Sequence, residues 1–146
     1  MQFTAEAFKT RTTLSCSTWT FQDIADGALA DQLKDSAPVP HPVTSEEAEQ
    51  EAESDLPNQA VEMTICSFAL HLIDSPSELF ALLWEISLRS RWLVVLAPHK
   101  KPEMKLGWGW VKWDADEWTE CPMTRSDGEF LQDRVHCRVY RSVNIP

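Results

Sequence analysis

The sequence predicts an α/β fold in which two parallel strands are joined by a helix and antiparallel strands form a C-terminal edge. Three observations carry that expectation. Residues 61–68 form a short apolar run rich in β-formers, Ser75-Pro76-Ser77-Glu78 is a helix-start signal, and residues 92–97 are continuously apolar up to Pro98. Strand, helix and strand within about forty residues make one βαβ unit, which is right-handed in nearly all known cases.

The opening, residues 1–33, mixes Thr and Ser with scattered apolar side chains. It predicts a strand at 12–16 and a short helix at 21–33. From residue 34 the composition turns to Pro, Ser, Ala and Glu, with an acidic run from Glu46 to Asp55. Such a stretch has too little apolar surface to offset the entropy of ordering it. Residues 34–60 therefore read as an acidic Pro/Glu-rich loop or linker, with at most a frayed helix at 45–53.

The central unit is the most sharply specified. The Ser75 hydroxyl is placed to accept from the Glu78 N–H, Pro76 sits where no donor is needed, and the Glu78 carboxylate can reach back. Leu79, Leu82, Leu83 and Ile86 follow at helical spacing, with Phe80 and Trp84 widening the apolar face. Arg89 and Arg91 lie where the helix dipole favours cations. The unbroken apolar run at 92–97 implies a strand buried on both faces, as in a parallel sheet covered by helices.

In the last third, residues 106–113 hold two glycines and three tryptophans and read as an irregular segment or lid. Residues 114–121 predict a short helix, and 128–133 a strand and turn. Val135, Cys137 and Val139 alternate with His136, Arg138 and Tyr140, the period of a strand with one buried and one wetter face.

Charge and cysteine content narrow the functional classes. The net charge of -10 repels phosphate backbones and anionic lipid, and Lys100, Lys101 and Lys105 are the one small basic cluster. Nucleic acid and membrane are thus not the expected partners, and no apolar run approaches the roughly 20 residues that cross a bilayer. Cys16, Cys66, Cys121 and Cys137 form no CxxC pair and follow no signal-peptide pattern, so they read as reduced thiols in a cytoplasmic or nuclear protein. Their spacing with the four His fits no zinc site. His136 and Cys137 cannot face one ligand from neighbouring strand positions.

In an open α/β sheet, ligands bind beyond the carboxyl ends of the parallel strands. That rule selects two loops, one through Ser67, Phe68 and His71 and the other through His99, Lys100 and Lys101, which should share one rim. Residues 63–73, with their Leu70-His71-Leu72 segment, resemble the fourth-strand motif of class I S-adenosylmethionine-dependent methyltransferases. The following helix and residues 93–98 resemble the next helix and fifth strand. The stretch 18–26 is similar to the region after the third strand, and 129–142 to the antiparallel final strands.

The resemblance implies a partial Rossmann-like methyltransferase fold, the C-terminal half of one incomplete domain over residues 1–146. It implies S-adenosylmethionine as cofactor, with Asp23 accepting from the adenine amino group and Phe21 and Ile24 in apolar contact. Ser67 and Phe68 would lie near the methionine end, and His71 or His99 would take a proton from a small-molecule or protein acceptor. The sequence has no G-x-G-x-G loop and no second strand with a ribose-gripping carboxylate. Gly107-Trp108-Gly109 follows no strand and carries bulky rings where a cofactor must approach backbone. The expected product is therefore a truncated methyltransferase-like chain, or a protein-interaction module on that scaffold.

Each of these residues also has a structural reading. His71 could be a satisfied core histidine, His99 with Lys100 and Lys101 a solvated loop, and Asp23 a helix-start residue. Ser67 and Phe68 could serve packing, and Trp108, Trp110 and Trp113 could cover the sheet edge.

Overall fold

A computed structural model describes residues 5–36 and 60–146. The acidic run and the frayed helix expected at 45–53 lie outside the described residues.

The N-terminal part is helical throughout its regular structure. Helix α1 spans Ala5–Thr12, and no strand forms at 12–16, where Thr13 turns to φ 61° and its N–H closes on the Lys9 carbonyl at 2.9 Å. The single helix expected at 21–33 is two, α2 (Phe21–Ala25) and α3 (Ala28–Asp35). Gly27 separates them at φ 103°, a left-handed conformation that glycine adopts without strain. Thr20 and Asp23 form a complete capping box at the start of α2.

The βαβ unit is as expected. Strand β1 (Val61–Ser67) leads through a 3-10 turn (Leu70–Leu72) to α4 (Pro76–Ser87) and then to β2 (Ser90–Pro98). The two strands pair in parallel, with Cys66 opposite Val95. At the start of α4 only the hydroxyl half of the expected box forms: Ser75 Oγ accepts from the Glu78 N–H at 3.4 Å, and it lies 3.0 Å from Ser77 Oγ in place of a reciprocal Glu78 bond.

The remaining strands are β3 (Trp110–Asp114), β4 (Thr119–Cys121), β5 (Phe130–Gln132) and β6 (Val135–Ser142). The sheet order is β1-β2-β6-β3-β4, with β5 paired to β6. Strand β6 runs antiparallel to both β2 and β3, so the C-terminal strand is interior rather than an edge. Two expectations are corrected here. Residues 110–113 are not irregular, and 114–121 are a β hairpin and not a helix. Trp110, Lys112 and Asp114 alternate with Val111 and Trp113, which is strand period, and pairing on both sides of β3 settles the competition. The β5–β6 connection is the expected strand and turn, with Asp133 and Arg134 both at positive φ, as a two-residue I′ hairpin requires.

Pairing register assigns the faces. Leu93, Val95 and Ala97 lie with Tyr140, Arg138 and His136 on the side that α4 covers, where Leu79, Leu82, Leu83 and Ile86 complete the core. The inward face of β6 is thus the one carrying Arg138 and Tyr140, opposite to what hydropathy suggests, because both polar groups find partners inside. Trp110 closes this core, its indole N–H donating to the Leu83 carbonyl at 2.9 Å. Ser142 Oγ donates to the Ser87 carbonyl at 2.6 Å and fastens the end of α4.

The opposite face is only partly buried, contrary to the expectation of a doubly covered β2. It carries Met63 and Ile65 from β1, Trp92, Val94 and Leu96 from β2, Val139 from β6 and Trp113 from β3, none of them fully buried. Helix α1 buries no residue. Trp92, Trp113 and Trp118 cluster on this face, with centroids of Trp92 and Trp113 5.3 Å apart and of Trp92 and Trp118 5.1 Å apart. The outer edge of β1 pairs with no described strand. Beside that edge lies an apolar hollow of about 360 Å³ lined by Trp19, Phe21, Ile24, Ile65 and Leu70.

Candidate functional site

The exit loops of β1 and β2 do meet at one rim. His71 from the first and His99 and Lys100 from the second line a common cleft of about 670 Å³, with Lys112, Arg138 and Tyr140 reaching it from β3 and β6. Parallel pairing of β1 with β2 brings the two loops together. The antiparallel return of β6 carries its side chains under them.

The walls are unusually rich in buried charge. Lys112 and Glu129 have side chains only 3% and 5% exposed and form an ion pair. The Lys112 ammonium also donates to the Arg125 carbonyl. The second Glu129 oxygen lies 3.1 Å from His136 Nδ1. Burial alone would raise the Glu129 carboxyl, but the hydrogen bonds from Lys112 and His136 outweigh it and hold the group below the usual carboxylate range. Asp114 is held low in the same sense, first by the Glu117 N–H, which it accepts at 3.0 Å.

Arg138 is 5% exposed and donates to the carbonyls of Pro102 and Lys101 at 3.0 and 2.9 Å. Its guanidinium carbon lies 6.0 Å from the Tyr140 ring centroid. Burial pushes the Tyr140 hydroxyl up to about 12, so the phenol stays protonated across the physiological range. Two buried polar atoms of cleft-lining residues have no hydrogen-bond partner among the described residues: His71 Nδ1 and Arg138 Nε.

The other residues singled out from the sequence lie elsewhere. Phe21 and Ile24 line the apolar hollow beside β1. Asp23 is occupied as the partner of Thr20, one carboxylate oxygen accepting both the Thr20 N–H and hydroxyl at 2.7 and 2.8 Å, which lowers its pKa. Ser67 ends β1, exposed. Phe68 sits at φ 52° with its ring 49% exposed and edge-on to His71 at 6.5 Å. The structure therefore joins His71 to His99 in one cleft and sets Phe21 and Ile24 in another hollow.

Sequence reading missed Lys112, Glu129, Arg138 and Tyr140. The signal available was phase: once 110–114 is read as a strand, Lys112 and Asp114 share a face with Trp110 and must be buried with it.

The chain is 38% identical over 144 residues to uncharacterized protein C17A5.05c of Schizosaccharomyces pombe, an alignment that takes in 98% of this chain and 49% of that protein. The chain thus spans about half the length of that relative. No protein-family model and no solved structure matches it. Among the described residues, no helix is long and apolar enough to cross a membrane.

Proposed function

We propose that this chain is one half of an S-adenosylmethionine-dependent methyltransferase-like domain, completed by further polypeptide along β1. The observation that carries the reading is the state of β1. It pairs in parallel with β2 on one side, has no strand partner on its other edge among the described residues, and exposes Met63 and Ile65 beside an apolar hollow. An open parallel edge of this kind invites another strand, since unpaired N–H and C=O groups and apolar side chains stand together. The resemblance puts the first strand of such a sheet there, and the described residues supply none. A relative of about twice the length agrees with that arrangement.

The residues fit one wall of the cofactor site. Phe21 and Ile24 offer apolar contact to an adenine ring, and Asp23 retains one carboxylate oxygen that accepts no hydrogen bond among the described residues. A bound S-adenosylmethionine would supply a methyl group activated on sulfonium sulfur. The ribose wall has no counterpart among the described residues, so catalysis by this chain alone is not part of the proposal. In the completed domain His71 and His99, on the shared rim, would take the proton from a small-molecule or protein acceptor.

A second reading has one observation in its favour. The exposed Trp118, stacked with the partly buried Trp92 and Trp113, makes this sheet face a candidate protein-binding surface on a scaffold that no longer catalyses. Calorimetric titration of the chain with S-adenosylmethionine separates the two. Saturable heat with a dissociation constant tighter than about millimolar, weakened by Phe21→Ala or Phe68→Ala, is expected if the cofactor wall is retained. Absence of heat would reject the cofactor reading in favour of the interaction module.

A further inference from the structure

We propose that the cleft between the β1 and β2 exit loops binds an oxyanion, the carboxylate or phosphate group of a small molecule, with Arg138 as its central ligand. This goes beyond the methyltransferase reading and does not depend on it.

The Arg138 guanidinium is a charge set deep in the wall of this cleft. A guanidinium buried to this degree is ordinarily paired, because an isolated charge in a low-dielectric site is costly. Arg138 makes two bonds to loop carbonyls, yet forms no ion pair among the described residues. The buried carboxylate that feels the Arg138 charge, Glu129, accepts its hydrogen bonds from Lys112 and His136 instead. Asp74 and Glu103 also line the cleft but are exposed to water.

The second observation is the pair of unmet polar atoms. Arg138 Nε and His71 Nδ1 are shielded from solvent without partners among the described residues, and both residues belong to the wall of the same cleft. If Arg138 served only to tie residues 101–102 to β6, two carbonyls would complete that task and the Nε–H would have no reason to be left over. Two carbonyls occupy one N–H on each terminal nitrogen, so Nε–H and one N–H on each terminal nitrogen remain, and Nε–H with the N–H beside it suits a planar oxyanion approached side-on. Lys100 and Lys101 stand at the mouth, adding positive potential in a protein whose net charge is -10. Tyr140, protonated across the physiological range, adds a neutral donor or acceptor and no competing negative charge.

The test is a titration of the chain with inorganic phosphate, and separately with acetate, at constant ionic strength made up with chloride, followed through the Arg138 Nε–H resonance. A saturable shift with either oxyanion is expected, and the tighter of the two identifies phosphate esters or carboxylic acids as the source. Lys100→Ala with Lys101→Ala, both at exposed positions, should weaken the binding roughly two- to fivefold without touching the core. Arg138→Lys, which keeps the charge but loses the fork, should abolish saturation. No shift beyond the chloride control, or a saturable shift unchanged in the double lysine variant, would overturn the proposal.

Discussion

Replacing Glu129 by Gln isolates the energetics of the cleft. The substitution keeps the shape but leaves the Lys112 ammonium, 3% exposed, without its counter-charge. Breaking a buried pair in this way costs about 3–5 kcal/mol. Lys112 retains the Arg125 carbonyl, which places the expected loss at the lower end, about 3 kcal/mol. With urea slopes of about 1–3 kcal/mol per molar, the unfolding midpoint should fall by roughly 1–3 M. The double change Lys112→Met with Glu129→Gln removes both charges and should recover about half of that loss or more. The acid limb gives an independent check. Folding depresses the Glu129 pKa, so its contribution is complete above the ordinary carboxylate range and is lost as pH falls through the folded value. Glu129→Gln should therefore flatten the fall in stability on acidification. A single variant within about 0.5 kcal/mol of the parent, with an unchanged acid limb, would refute the pair as a structural element of the cleft.

Other outcomes follow from the same geometry. Gly109 sits at φ 87°, and an added Cβ would lie 2.3 Å from Ser87 Oγ, so Gly109→Ala should cost about 2–3 kcal/mol in denaturant unfolding. Ser75→Ala removes a long cap bond of 3.4 Å and should cost only about 0.5–1 kcal/mol by the same measurement. Burial pushes the Cys66 thiol up to about 11, whereas Cys16 is exposed. Maleimide labelling at about pH 8, read by peptide mass spectrometry, should mark Cys16 first and Cys66 only after unfolding.

The sequence carried the βαβ unit because its signals were local and agreed with one another: a cap at Ser75, helical spacing through Ile86, and an apolar run into Pro98. The parallel register of Cys66 with Val95 and the shared rim of His71 and His99 followed from that agreement. The second half of the sheet was less legible because β3, β4 and β5 are short and the turns between them hold residues at positive φ, among them Trp118 and Gly128. The aromatic density around Trp110 masked a simple alternation. Burial on β6 could not be read from hydropathy at all, since Arg138 and Tyr140 are inside only because two loop carbonyls and the cleft receive them. The break of the first helix at Gly27 was visible in principle, as one glycine between two short apolar stretches.

The tryptophan cluster on the partly buried face gives the molecule a built-in optical reporter. Indoles 5–6 Å apart couple their excited states, and here Arg141 also stands 5.7 Å from the Trp113 ring. Far-ultraviolet circular dichroism should therefore show an exciton couplet from the indoles, and the emission of the exposed Trp118 should be partly quenched and red-shifted by water contact. A polypeptide laid across this face would exclude that water and shift the spectrum to the blue, so its arrival could be timed without attaching a dye.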